Sequence, residues 1–418
     1  MSAIASRLPV LVTSRRAAAS MFAAFAFAYF FSALLRAVTA TLAPEFSAEL
    51  GLSAGDLGLL AGAYFLGFSL LQLPLGRALD RWGPRRVLLV FLAVAVVGCA
   101  AFALARGFAW LLAARALIGV GVSACLMAPL TAYRLHFSAA AQLRANSWML
   151  MTGSLGMLAS TLPVQWLLPV VGWRGLFWAV AGLLAMAAAL IAVVVPRDGL
   201  PSETANSGGP ADLGYRAIFR HAYFVRLMPL AFFNYGGLIA VQSLWAGPWL
   251  TNVVGWSAAE AAGGLFAINL AMLLTFFCWG VATPRLMRRG WRVDRLITLG
   301  MPLSLLLLCG GAILGSEAGV VWWAAWCVSS TFVALTQPAL AQAFPAAAAG
   351  RALSAFNLVI FLGVFCVQWG IGLAIDALGA QGWPKVVAYQ AAFGFFAAAC
   401  AVSYGWFVGR GRGHARER

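Results

Sequence analysis

Two sets of charged residues stand where their type and spacing imply chemistry. The first is Arg36, a permanent cation about 16 residues into an apolar run that begins near residue 19, with Tyr29, Ser32 and Thr39 at near-helical spacing around it. A charge inside an apolar segment costs at least ~2.5–3.5 kcal/mol on insertion scales, so such residues usually face a wet cavity and do work. A guanidinium presents two parallel N–H donors that fit a carboxylate or phosphate. Two readings stay open: Arg36 faces an anionic substrate, or it lies near the outer interface, where it snorkels or pairs with Glu45 or Glu49.

The second set is the segment Gly76 to Arg86, GRALDRWGPRR, which puts one acid among four arginines between two long apolar runs. Its glycines (Gly76, Gly83) allow close helix approach and a sharp turn. The carboxylate of Asp80 can dock on a neighbouring helix N-terminus, and Arg81, Arg85 and Arg86 can bridge to acids or lipid phosphates. The alternative is that these charges only set topology, which suits the arginines better than Asp80, because acids contribute little to topology.

Little else in the chain suggests reaction chemistry. None of the twelve Asp and Glu falls in the middle of an apolar run, and His136, His221 and His414 sit outside them, so no internal proton relay is expected. The seven cysteines lie one per run in no metal-ligand spacing and read as packing residues. Without a nucleophile constellation, metal cluster or phosphate loop, an enzyme is not expected, nor any metal or cofactor.

The elements that must position these residues follow from composition. At 418 residues, 63% hydrophobic and 10% charged, the chain needs lipid as its solvent. Apolar runs long enough to cross ~30 Å of hydrocarbon as helices occur twelve times, at 19–42, 57–76, 87–105, 108–131, 145–168, 174–195, 223–250, 258–284, 295–315, 319–342, 351–375 and 387–409. The first is too long for a signal-peptide apolar core and reads as an uncleaved helix. With the N-terminus inside, 23 of the 28 Lys and Arg fall on cytoplasmic segments, the exceptions being Arg36, Arg106, Arg115, Arg174 and Lys385. This spread over short loops accounts for the net charge of +16 and argues against nucleic-acid binding, for which no soluble basic domain exists.

The chain also repeats. Pro44, Gly51, Ser53, Ala54, Asp56, Gly76 and Arg81 match Pro248, Gly255, Ser257, Ala258, Glu260, Gly280 and Arg285 at a constant offset of 204, and Arg144, Ala145 and Ser147 match Arg351, Ala352 and Ser354 at 207. The reading is an all-α integral membrane protein of twelve transmembrane helices in two pseudo-symmetric six-helix bundles, residues 1–195 and 223–418, joined by a cytoplasmic Gly/Pro/Ser-rich linker at 196–222.

On these residues the chain resembles the major facilitator superfamily over essentially its whole length. The loop resembles the signature G-x-x-x-D-R-x-G-R-[KR], with Gly76, Asp80, Arg81, Gly83 and Arg86 in place and Pro84 where a basic residue is usual, Arg85 following. In the second copy Pro284 stands where Asp80 does in the first, so a carboxylate latch holding one state of the cycle is implied for the N-terminal half alone. Arg115, Gly119 and Gly121 resemble a second signature, R-x-x-x-G-x-G, which leaves Arg115 either functional or structural. Arg36 about twenty residues before Asp56-Leu57-Gly58 resembles the anion-transporting branches, the organophosphate antiporters and anion/cation symporters. The symmetry mate of Arg36 is Ala240, so the resemblance implies a monoanion such as a carboxylate rather than a phosphate dianion, with Gln242, Ser243 and Trp245 as neutral contacts. The drug/proton antiporter pattern is missing from TGSLGMLASTLP in the fifth run.

The resemblance implies a secondary transporter of a small organic anion, working by alternating access as a monomer among membrane lipids in a bacterial inner membrane, both termini cytoplasmic. Broad efflux of neutral or amphipathic compounds, and a non-transporting sensor or assembly factor on the same fold, remain as alternatives. The aromatic side chains are expected to face lipid or the interfaces, and Asn234, Tyr235, Thr336, Gln337, Asn357 and Gln368 either line the pathway or bond between helices.

Overall fold

The computed structural model describes residues 15–196 and 214–416. Most of the central linker, with Asp198, Glu203, Asp212 and Ser202, lies outside the described residues, as do Arg7, Glu417 and Arg418. Among the described residues every regular element is helical. They are α1 (Arg15–Leu50), α2 (Ala54–Leu70), α3 (Gln72–Trp82), α4 (Pro84–Ala103), α5 (Phe108–Val122), α6 (Ala124–His136), α7 (Ala139–Ala159) and α8 (Leu162–Val194), then α9 (Tyr215–Arg220), α10 (Ala222–Pro229), α11 (Gly236–Ala240), α12 (Ala246–Asn252), α13 (Ala258–Arg288), α14 (Val293–Leu314), α15 (Val320–Ser330), α16 (Thr336–Gln342), α17 (Ala346–Ala380) and α18 (Lys385–Arg416).

Ten helical stretches among the described residues are long and apolar enough to cross a membrane, or eleven when α2 and α3, bent by 45°, count as one. The difference from twelve arises around α7 and α8. The fifth crossing breaks at Ser160 and Thr161, the latter with φ −103° and ψ −112°, so its apolar length is divided between two helices. The sixth is separated from it only by Gly172, whose φ of 63° interrupts the ladder within Leu162–Val194.

The repeat is visible in local geometry. Gly51 and Gly255 both adopt positive φ, 61° and 85°, ending one helix before the next begins. Ser53 then accepts the amide of Asp56 while Asp56 accepts that of Ser53, and Ser257 and Glu260 form the same reciprocal box on α13. These helix starts lie at the end of the bundle opposite the start of α1 and the end of α18, called distal below.

Small residues set the helix spacing. A Cβ on Gly119 would come 2.0 Å from the Tyr64 carbonyl oxygen and one on Gly121 2.3 Å from the Ala95 nitrogen, so both glycines permit backbone contact, α5 against α2 and α5 against α4. Between the halves, Gly58 and Gly62 of α2 face Gln368 and Phe365 of α17, and Gly372 of α17 faces Ala54. Gly247 of α12 meets the Ala40 carbonyl of α1. The distal parts of the two halves therefore touch backbone to backbone, as small residues allow.

Two sequence expectations are corrected here. Cys99, Cys125, Cys327 and Cys400 are buried, but Cys278, Cys309 and Cys366 are exposed, so core packing does not account for all seven. Periodicity alone did not say which way they point. The tryptophans also divide: Trp166 and Trp110 are exposed, whereas Trp173, Trp245, Trp249, Trp323 and Trp326 are buried, the last three joined edge to face at centroid spacings of 5.1 and 5.6 Å.

A candidate substrate site between the two halves

Arg36 reaches the boundary between the halves from the middle of α1. Its guanidinium carbon stands 5.8 Å from the Phe68 ring of α2 and 6.0 Å from the Phe361 ring of α17, and these rings are 4.6 Å apart. One ring from each half thus lies on the same side of the cation, worth ~0.5–2 kcal/mol together with water excluded. The polar groups facing it are the hydroxyls of Tyr64 and Tyr29, and Tyr235, at the end of a π-helical turn, lies within its field. Arg36 is half-buried, and its Nε is buried without a hydrogen-bond partner. Among the described residues no carboxylate pairs with it. Glu49, one of the partners the sequence allowed, is bound elsewhere: it accepts from Arg174 at 2.5 Å and from the Trp173 indole at 2.6 Å.

Arg115 is placed differently. Only 1% exposed, it donates to the Leu35 carbonyl at 2.9 Å and Thr39 Oγ1 at 2.6 Å, and its guanidinium stacks 5.0 Å from the Tyr64 ring centroid. It ties α5 to α1 one turn beyond Arg36 and holds Tyr64, whose hydroxyl in turn donates to the Ser32 carbonyl at 3.2 Å. Tyr64 is therefore fixed between two arginines. Tyr29 is buried and packs on Gly153, where a Cβ would sit 2.6 Å from its ring.

Gln242 and Trp245 lie on a second π-helical turn, Val241–Trp245, that packs on α1. Gln242 donates to Asn269 at 3.0 Å and the Trp245 indole to the Gln368 carbonyl at 3.0 Å, so both are engaged within the C-terminal half. The seventh crossing thus departs from α geometry twice, at Leu230–Tyr235 and Val241–Trp245, and the tenth once, as a 3₁₀ turn at Thr331–Leu335. Such interruptions concentrate at functional sites because they re-aim side chains and free carbonyls. Of the polar residues left open by sequence, four are bonded between helices, Asn234 to Ser403 at 2.5 Å, Gln337 to Asn357 at 2.8 Å and Gln368 to Ser243 at 3.1 Å, while Thr336 donates to the Val333 carbonyl of its own segment at 2.6 Å.

At the proximal end, the arginine-rich loop turns at Gly83, φ 78° and ψ 155°, and Pro84 opens α4 with its missing N–H at a position that needs none. Arg85 donates to the Ala192 carbonyl at 2.5 Å and so fastens α4 to the end of α8. Asp80, Arg81 and Arg86 are exposed, and Asp80 lies beside Tyr215 in a field that also contains Arg77 and Arg351. A Cβ on Gly76 would meet nothing within 4 Å, so close helix approach is not its role here; the turn is made by Gly83.

Tyr64, Phe68 and Phe361 are not singled out by the sequence, whereas Tyr235 is among its candidate pathway residues. Tyr64 and Phe68 repeat at i and i+4 on α2, eight and twelve residues after Asp56, a spacing that puts them on one helix face. Phe361, nearly 300 residues further on, has no comparable signal. A cavity of about 780 Å³ opens at the distal end, with Pro44, Ser47, Leu57, Thr251, Asp376 and Tyr389 among its lining residues; Arg36 is not among them.

The fold has close relatives among solved structures. The inward-facing, unoccupied bacterial homologue of the human lysosomal transporter Spinster matches with a TM-score of 0.76 at 17% identity, over 97% of this chain and 99% of that one. The POT family transporter PepTSo matches at 0.77 and 16% identity over 97% and 99%, and the D-xylose–proton symporter at 0.71 and 15% over 91% and 96%. In sequence, the uncharacterised MFS-type transporter YbcL of Bacillus subtilis (strain 168) is 26% identical over 291 residues, 68% of this chain and 71% of that protein. Residues 25–366 match the Major Facilitator Superfamily, and the chain belongs to that family of secondary transporters.

Proposed function

We propose that the solute carried is a small organic anion, bound at Arg36 between the two six-helix halves and moved by alternating access. The observation that carries this reading is a half-buried guanidinium at the boundary of the halves with no carboxylate partner among the described residues. Phe68 and Phe361 lie together on one side of it, and a guanidinium can offer two parallel hydrogen bonds to a carboxylate. The paired rings favour a substrate whose body is apolar.

Tyr29 lies on the same wall, with Arg115 behind it holding Tyr64. Gln242 and Trp245 complete the C-terminal side as neutral contacts. In the proposed orientation the termini are cytoplasmic, following the arginine distribution, so the distal end faces the outside of a bacterial inner membrane. Asp80 and its neighbours Gly76, Arg81, Gly83, Arg85 and Arg86 form a cytoplasmic hinge acting on the cycle rather than on binding.

A fixed cation resists crossing the membrane unneutralised, and the bound anion removes that resistance. Exchange of one anion for another, or uptake of an anion that carries its own proton, follows from this. The test is counterflow in liposomes containing the purified protein. Preloaded unlabelled benzoate should accelerate entry of labelled benzoate, and competition should fall in the order aromatic carboxylate, aliphatic carboxylate, neutral amide. Equal competition by the amide would favour broad efflux of neutral or amphipathic compounds instead.

A further inference from the structure

The carboxylate of Asp376, near the distal end of α17, crosses from one half of the molecule to the other. Its Oδ1 accepts the Ala54 amide at 3.0 Å and its Oδ2 the Gly55 amide at 2.7 Å, the first two residues of α2. The third amide, of Asp56, goes to Ser53. The backbone donors at the start of α2 that lack an intrahelical partner are thus shared between a local capping box and an acid from the opposite half.

We propose that Asp376 is the latch of the distal gate, holding α2 against α17 and releasing both amides each time the distal faces separate. A carboxylate on a helix N-terminus is favoured by the partial positive charge there and by charge-assisted hydrogen bonding. Asp376 is half-buried on the wall of the distal cavity. When the faces part, water can replace both partners, so the contact biases the closed state without preventing opening. A deeply buried ion pair in this place would be costly to break.

Geometry at the rest of this contact agrees. Gly55 has no room for a side chain, since a Cβ would sit 2.7 Å from Asp376 Oδ2, and Gly372 allows the Ala54 carbonyl within 2.3 Å of where a Cβ would be. The pseudo-symmetric gate is built differently. The start of α13 is capped by Ser257 and Glu260 from its own sequence, and the residue that corresponds to Asp376 at an offset of 207 is Pro169. The latch is therefore single, and it belongs to one of the two pairs of helices that meet at the distal face.

The test is the reactivity of Leu57→Cys, a buried position on the cavity wall, toward a maleimide in the purified full-length protein, read at that position by mass spectrometry. Asp376→Asn should raise the labelling rate about tenfold, equivalent to ~1.4 kcal/mol in the gate equilibrium, and Asp376→Glu should restore part of the protection. Gly55→Ala, which keeps the carboxylate but displaces it, should raise labelling in the same direction and serves if Asp376→Asn does not fold. Glu260→Ala removes the acceptor for the Ser257 amide at the pseudo-symmetric helix start and should leave labelling at position 57 unchanged. Unchanged labelling in folded Asp376→Asn and Gly55→Ala overturns the proposal. So does an equal increase in Glu260→Ala, which would mean that loss of any cap merely frays the distal end.

Discussion

Replacing Arg36 by Gln should abolish transport and at the same time make the protein more stable. Arg36 carries its charge at the boundary of the halves with its Nε unpartnered and, among the described residues, no acid paired with it. A charge in such a place costs ~2.5–3.5 kcal/mol on insertion scales, and the rings of Phe68 and Phe361 return only ~0.5–2 kcal/mol. Removing the charge should therefore stabilise the substrate-free protein by about 1–2 kcal/mol. Binding moves the opposite way. Two charge-assisted hydrogen bonds at ~1.5–3 kcal/mol each are lost in Gln, so affinity for a carboxylate should fall at least ~100-fold, since each 1.4 kcal/mol is tenfold.

Arg36→Lys keeps the charge and one donor direction while losing the planar fork, so a loss nearer ~10-fold is expected. The assay is thermal unfolding of purified protein with and without carboxylates, beside counterflow in liposomes. Wild type should gain stability from the anion by mass action, and Arg36→Gln should start higher and gain nothing. A variant that transports normally would remove Arg36 from the site. One that is destabilised by more than ~1 kcal/mol would show that the guanidinium has a structural partner, against the cost assigned to a buried unpaired charge.

Other perturbations separate hinge, turn and topology. Asp80→Asn should lower turnover severely with apparent affinity changed far less, measured as separate effects on maximal rate and half-saturation; normal turnover would leave the loop with topology alone. Gly83→Ala forces a side chain into φ 78°, ψ 155°, a region essentially reserved for glycine, and should cost about 1–3 kcal/mol in thermal stability, whereas Gly76→Ala, facing open space, should be nearly silent. Cysteine introduced at Ser316 should react with an impermeant reagent from outside sealed cells, and cysteine at position 202, outside the described residues, only from the cytoplasm. External reaction at 202 would overturn the orientation.

How far the sequence discloses this molecule depends on whether a property is carried by one residue type or by a contact. The capping boxes at Ser53 and Ser257 fall on residues that the constant offset of 204 pairs, because a helix start needs an acceptor three residues before an acid whatever surrounds it. Arg36 stood out because a lone cation in an apolar run is costly wherever it points. The π-faces on that cation, from Phe68 and Phe361, could not be read in the same way. Among 29 phenylalanines nothing local distinguishes two that meet across nearly 300 residues. The same holds for Asp376, which sequence placed only at a helix end, and for the exposed cysteines, whose direction depends on how a helix is rotated in the bundle. The fifth and sixth crossings were legible in apolar content but not in their breaks at Thr161 and Gly172.

What the two halves share and what they do not also divides along physical lines. Gly51 and Gly255, the capping boxes, and Arg144 and Arg351 recur because both halves must turn, start helices and be anchored by the same rules. Among the charges assigned to the transport cycle, Arg81 and Arg85 recur as Arg285 and Arg289, whereas three others do not. Arg36 faces Ala240 across the pseudo-symmetry, Asp80 faces Pro284 and Asp376 faces Pro169. A second copy of Arg36 would add another unpaired cation at a cost of ~2.5–3.5 kcal/mol, with one substrate carboxylate to satisfy two guanidinium groups. A second Asp376 would add a second clasp to break at every opening. For the proposed carriage of a monoanion, Arg36, Asp80 and Asp376 are each needed once and would be expensive twice, while the residues that turn the chain and start helices, and the loop arginines Arg81 and Arg85, are retained in pairs.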